Sequence, residues 1–213
     1  MKDDGRYIPA LGLRQLTPLY DPVLRWVMRE DTFKRALVRQ AGIQAGQRVL
    51  DLGCGTGTLT VLIKQAHPRA EVVGLDGDAQ VLELARHKSA QAGVEIVFDV
   101  GMAFELPYPD HSFDRVLSSL LMHHLNTQNK QRTLRESRRV LRPGGELHVV
   151  DFGRPSNPLA YLISLVMRRL EETTDNIKGL LPQMMREAGF ARVAETAHYT
   201  TAFGMLALYR AQR

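Results

Sequence analysis

Cysteine is all but missing from this 213-residue chain, which has one, Cys54. A single thiol excludes an internal disulfide framework and a multi-cysteine zinc cage, and it fits a reducing compartment. Long apolar runs are missing as well. No stretch approaches the roughly 18 apolar residues that a membrane span requires. The opening MKDDGRY carries acids and has no apolar segment behind it, unlike a secretory signal. These absences set a cytoplasmic location as the expectation. Repeats, low-complexity tracts and linkers are absent too, so the chain reads as one domain. With 44% apolar and 24% charged residues, it is long enough to bury a full core.

The charge is unbalanced, +5 at pH 7. Much of the excess sits in Lys130–Arg142, KQRTLRESRRVLR, with six basic residues and one acid. Leu134, Val140 and Leu141 give the run an apolar side, and no aromatics are interleaved to stack on bases. It is therefore read as the solvated face of an amphipathic helix rather than a nucleic-acid surface.

Hydrophobic periodicity divides the domain into three parts. Residues 1–46 form a helical N-terminal cap, with Leu24, Val27, Met28, Phe33, Leu37 and Val38 at helical spacing. Residues 47–153 alternate short strands (Arg48–Leu52, Glu71–Leu75, Val94–Phe98, Phe113–Ser118, Glu146–Val150) with helices (Thr58–Ala66, Ala79–Ala92 and the basic run). That alternation predicts an α/β fold, a Rossmann-like doubly wound sheet that is mostly parallel. Residues 154–213 add substrate-side helices around Pro158–Leu170 and Asn176–Ala188. Two close strands, Arg192–Tyr199 and Phe203–Tyr209, then predict an antiparallel edge hairpin.

Chemistry concentrates in Val49–Gly57, VLDLGCGTG. A glycine loop between a strand and a helix lines a ligand crevice at the carboxyl end of a parallel sheet. No GK pair is present, which excludes a P-loop. Gly53, Gly55 and Gly57 give GxGxG, with Thr58 where a dinucleotide fold has its third glycine. Asp51 is an unfavourable neighbour for a pyrophosphate. A sulfonium cofactor such as S-adenosylmethionine has no phosphate and carries cationic groups that an acid favours. Asp76 ends the second strand about 20 residues on, where a carboxylate accepts from ribose hydroxyls.

Five motifs in order, VLDLGCGTG, VVGLD ending at Asp76, LPYPDHSFD (Leu106–Asp114), LSSLLMHHL (Leu117–Leu125) and LRPGGEL (Leu141–Leu147), resemble class I S-adenosylmethionine-dependent methyltransferases over residues 20–153. The resemblance is nearest to the small-molecule branch that includes ubiquinone/menaquinone-biosynthesis enzymes. It implies that Asp51, Gly53, Cys54, Gly55 and Gly57 surround the amino-acid end of the cofactor. Asp76 and Gly77 would then hold the ribose, Met102 and Ala103 the adenine, and Ser119 would lie near the methyl group. Met102 departs from the family's acid at that position; Asp99 is a substitute, and Ala103 can offer its backbone N–H.

His123 and His124 follow the fourth strand, where the methyl group emerges. Either is a candidate general base, and the alternative is that both are scaffold. No metal role is expected for them. Cys54 reads as a small residue in a tight turn, His148 as structural, and Asp151 as a crevice-facing contact or a strand-end cap. Residues 158–170 carry a charge-free stretch that fits a cover over an apolar acceptor, a peripheral membrane contact or a buried helix. With Tyr7, Leu16, Tyr20 and Trp26 it would form a lid. The functional expectation is methyl transfer to O, N or C of a small, partly apolar acceptor. The alternatives are a non-catalytic cofactor-binding protein and an RNA methyltransferase. The oligomeric state is not set by the sequence.

Overall fold

The computed structural model describes residues 30–155, 173–202 and 204–213. Expectations for residues 1–29, for the helix Pro158–Leu170 and for Phe203 lie outside them. Among the described residues, α1 (Glu30–Ala41), β1 (Arg48–Leu52), α2 (Thr58–Ala66), β2 (Glu71–Asp76), α3 (Ala79–Gln91), β3 (Val97–Val100) and β4 (Phe113–Ser119) come first. Then follow α4 (Thr127–Val140), β5 (Leu141–Phe152), α5 (Thr174–Ile177), α6 (Leu181–Glu187), β6 (Ala191–Thr201) and β7 (Gly204–Gln212).

The seven strands form one sheet in the order β3-β2-β1-β4-β5-β7-β6. β1 to β5 pair in parallel, whereas β7 runs antiparallel to both β5 and β6. Side chains alternate across the sheet. Val49, Val72, Leu117, Val150 and Leu208 therefore meet Phe33 and Leu37 of α1 and Leu59 and Ile63 of α2 on one face. Leu50, Leu52, Val116, Leu147 and Val149 meet Leu134 of α4 and Met185 of α6 on the other. Leu82 and Ala85 of α3 close a smaller cluster with Phe98 and Cys54. Strand order reverses between β1 and β4, which opens a crevice at their carboxyl ends.

Three expected elements differ. The helix expected over Asn176–Ala188 is two, because Gly179 adopts φ +73° and Pro182 starts α6. Pro143-Gly144-Gly145 does not precede β5 but lies within it, at a register shift between Phe113↔Leu141 and Arg115↔Glu146. β3 starts at Val97, where its pairing with Val73 begins.

The basic run is a solvated face only in part: Arg132, Arg135 and Arg142 are exposed, and the other cations are engaged within the fold. Lys130 is fully buried and pairs with Asp175 at 3.3 Å. Arg138 donates to the Gly189 carbonyl, Arg139 to Glu136, Asp110 and the Tyr108 carbonyl, and Arg142 to Asp114. Arg132 lies over the Phe104 ring. α4 braces the loops that follow β3 and α6.

Candidate active site

Gly53, Gly55 and Gly57 adopt φ of +70°, +54° and +75°, conformations in which a side chain is strained. Their surroundings differ. A Cβ on Gly53 would meet Leu121 Cδ1 at 2.7 Å, and one on Gly57 would meet Ala85 Cβ at 2.9 Å. At Gly55 a Cβ would meet nothing within 4 Å, so this is the open part of the loop. The loop is tied to the end of β2. Gly53 and Cys54 donate to the Leu75 carbonyl (2.8 and 3.0 Å), and Gly55 donates to Asp76 Oδ2 at 2.9 Å. Lys88, which no motif singles out, reaches from α3 to Thr56 Oγ1 (2.9 Å) and Thr58 Oγ1 (2.8 Å).

Two carboxylates lie at this loop. Asp51 is buried and accepts from Thr60 Oγ1 at 2.6 Å. Burial pushes its carboxyl up to about 6, opposed by the Thr60 hydrogen bond and by Lys34. Asp76 is also raised by burial, against amides of Asp78, Gly55 and Gly77 that favour its ionised form. Cys54 turns its side chain into the cluster with Leu82, Ala85 and Phe98. Burial and the two carboxylates push its thiol up, so it is a packing group rather than a nucleophile.

Beyond β3, the Gly101 amide donates to the Asp76 carbonyl (2.9 Å), and the Glu105 amide closes a turn on the Met102 carbonyl (3.0 Å). That turn places Met102 and the buried Ala103 beside the end of β2. Asp99 is not the substitute acid. It accepts from Tyr108 Oη at 2.8 Å, and its strand neighbour Phe98 occupies the α3 side. Asp99 therefore lies on the opposite face of the strand.

Across the crevice, β4 ends at Ser119, whose buried Oγ has no partner among the described residues. Leu120 takes φ +58°, a left-handed turn that leads into the 3₁₀ turn Met122–His124. His123 is buried, with Nδ1 2.9 Å from Asp151 Oδ1. Burial pushes the Asp151 carboxyl up, but the facing His123 ring and the Phe152 amide hold it below the ordinary carboxylate range. Asp151 is thus neither a substrate contact nor a simple strand-end cap; it orients His123. The His124 ring lies 4.0 Å from that of His123. Burial, with His123 adding to it, pushes His124 down to about 4 and keeps it neutral at physiological pH.

This donor set fits a cationic cofactor. An ammonium near Asp51 would favour its ionised form, whereas a pyrophosphate would oppose it. Gly55 offers the open approach and Ser119 Oγ an unused polar group on the facing strand. No group of three or more His, Cys, Asp or Glu side chains among the described residues is placed to hold a metal ion.

The chain is similar to known methyltransferases in sequence and in fold. Residues 49–145 match the family model described as a methyltransferase domain. A ubiquinone/menaquinone biosynthesis C-methyltransferase of Pseudomonas paraeruginosa is 34% identical over 202 residues, covering 84% of this chain and 77% of the relative. A demethylmenaquinone methyltransferase of Deinococcus radiodurans is 34% identical over 160 residues, covering 74% of this chain. The match spans 65% of that relative's length, and 51% for a 39% identical C-methyltransferase of Hahella chejuensis. Among solved structures, the YcgJ protein of Bacillus subtilis superposes with a TM-score of 0.70 at 20% identity, over 86% of this chain and 98% of that one. The apo S-adenosylmethionine-dependent methyltransferase SibL gives 0.71 at 23% identity, over 97% and 60%.

Proposed function

This chain belongs to the class I S-adenosylmethionine-dependent methyltransferases, and from that membership we propose that it methylates a ring carbon of a small hydroquinone-type acceptor. The observation that carries the proposal is the His123–Asp151 pair, set at the end of β4 across the crevice from the open Gly55 and the Asp76 carboxylate. The relatives' names, demethylmenaquinone methyltransferase and ubiquinone/menaquinone biosynthesis C-methyltransferase, supply the acceptor class.

When bound, the cofactor supplies an electrophilic methyl group. Asp51 and the loop Gly53–Gly57 would hold its amino-acid end, Asp76 and Gly77 its ribose, the Met102-Ala103 turn its adenine, and Ser119 the region of the methyl group. Hydroquinone carbon becomes a strong nucleophile once a neighbouring hydroxyl gives up its proton. His123, ordered by Asp151, is suited to take that proton, and the buried surroundings keep water from competing. His124 is neutral, its ring pushed down to about 4 by burial. The charge-free stretch in 158–170 fits an apolar cover over such an acceptor, or a contact with the membrane that dissolves it. We place the enzyme on the cytoplasmic side of that membrane, as one domain spanning 1–213.

Purified protein incubated with S-adenosylmethionine and a reduced, ring-unsubstituted naphthoquinol should yield a product heavier by one methylene, located on carbon by NMR. Asp76→Ala should weaken S-adenosylhomocysteine binding by about 1–3 kcal/mol, the cost of losing hydrogen bonds to a charged group. Tight cofactor binding with no transfer to any quinol would sink the acceptor assignment. An unchanged dissociation constant for the variant would sink the ribose assignment.

A further inference from the structure

Asn176 carries no motif. It lies in α5, 25 residues past Asp151 in sequence, and is fully buried. Its Nδ2 donates to Asp151 Oδ1 at 2.9 Å. The same oxygen accepts from the Phe152 amide (2.8 Å) and faces His123 Nδ1 (2.9 Å), while Oδ2 accepts from the Met122 amide at 2.7 Å. Donors on both oxygens fix the rotation of the carboxylate and favour its ionised form. An ionised carboxylate only accepts, so His123 must present N–H at Nδ1, and a neutral ring then carries its basic lone pair on Nε2.

The other end of the Asn176 amide separates a site residue from a brace. Buried side-chain polar atoms in a scaffold are nearly always paired. Asn176 Oδ1 has no partner among the described residues, and neither has the buried Thr173 Oγ1 three positions earlier. The short helix is anchored independently, because Asp175 accepts from Thr127 Oγ1 at 2.7 Å and pairs with Lys130 at 3.3 Å. Asn176 is therefore not the sole anchor of α5.

We propose that Asn176 is a positioning residue, which acts through Asp151 to fix the orientation and tautomer of His123 so that Nε2 receives the acceptor's hydroxyl proton. The proposal rests on the methyl-transfer function above. The O–H bond of the acceptor would break, the proton would join Nε2, and the electron pair left on oxygen would drive the ring carbon onto the methyl group as the methyl–sulfur bond breaks and S-adenosylhomocysteine leaves. The imidazolium would then return its proton to oxygen while the ring C–H proton is lost to solvent, restoring the aromatic ring with one proton released overall. The resulting imidazolium is balanced by the Asp151 carboxylate. No further reactant enters the step.

The test compares wild type with Asn176→Leu, which keeps the volume but not the hydrogen bond, and Asn176→Ser, which restores a small donor. Nitrogen-15 NMR of His123 in the S-adenosylhomocysteine complex should show the Nδ1–H tautomer in wild type and a mixture in Asn176→Leu. Turnover of Asn176→Leu should fall on the order of 10–100-fold, part of the 10²–10⁴ that a general base contributes. Cofactor affinity should stay within about twofold, since the residue is on the acceptor side. The acid limb of the pH–rate profile should move to higher pH, because a less solvated Asp151 favours the imidazolium. Asn176→Ser should recover part of both effects, and it serves alone if the leucine variant does not fold. An unchanged His123 tautomer in a folded variant would overturn the proposal, whatever happens to turnover. Because the tautomer is read without acceptor, a shifted tautomer with no quinol methylated would leave this proposal standing and refute the acceptor class.

Discussion

Asp51 shows how a single side chain couples the cofactor site to stability. The folded protein keeps a proton on this carboxyl up to about pH 6, whereas an unfolded chain releases it near 4. Folding therefore retains a proton between those values, and stability falls as pH rises through that window. Above it the buried charge costs a steady amount, about 3 kcal/mol. Asp51→Asn should remove that slope: urea denaturation from pH 4 to 8 should show the variant gaining on wild type up to pH 6 and holding its lead above. The same variant should bind cofactor more weakly. Parallel curves would contradict the burial argument. Residues of this kind divide by legibility. Asp51 and Asp76 are marked by a local pattern, since Asp51 lies one residue before the end of β1 and Asp76 ends β2, both beside the glycine loop. Asp99 was misread as an adenine contact because its partner, Tyr108, is set by the turn after β3. Asn176 and Lys88 reach their partners across 25 and about 30 positions, and nothing local marks them.

Among the elements, the glycine loop makes the sharpest distinction. Gly57 and Gly55 share a left-handed backbone, yet only Gly57 faces a neighbour at 2.9 Å. Gly57→Ala should cost about 2–4 kcal/mol in a denaturant titration, from backbone strain and overpacking together. Gly55→Ala should cost about 1–2 kcal/mol of stability and lose proportionally more cofactor affinity in calorimetry, because its added methyl would stand in the open part of the loop, with nothing within 4 Å. Equal stability losses would show that the contact with Ala85 relaxes. α2 matches its expected bounds because apolar period and flanking turns agree there. The helix expected over Asn176–Ala188 fails because its apolar stripe continues through Gly179, whose φ of +73° breaks it. The basic helix was legible as a helix, but not as a brace. Its arginines pair with carbonyls and carboxylates more than 25 positions away, such as Gly189, Tyr108 and Asp114.

For the molecule as a whole, the alternation of periods was enough for the doubly wound sheet, while the place of β7 between β5 and β6 depends on pairing that only the closed fold reveals. The net charge of +5 also looks different once the contacts of α4 are known. With Lys130, Arg138 and Arg139 engaged within the fold, RNA binding should be weak and should depend only shallowly on salt between 50 and 200 mM. A logarithmic slope near −4, about what six engaged cations give on a single strand, would restore the nucleic-acid alternative. Finally, the order β3-β2-β1-β4 acts as a ruler. Neighbouring strands stand about 4.8 Å apart, so four strand ends measure about 14 Å of rim. A cofactor stretched along that rim, as proposed above, would meet adenine, ribose, methionine and methyl-transfer positions at once. Adenosine or methionine alone covers half of it. Each fragment would bind far more weakly than the whole, since joining them makes the second contact intramolecular. On that placement, the width of the sheet would favour an intact donor over either fragment.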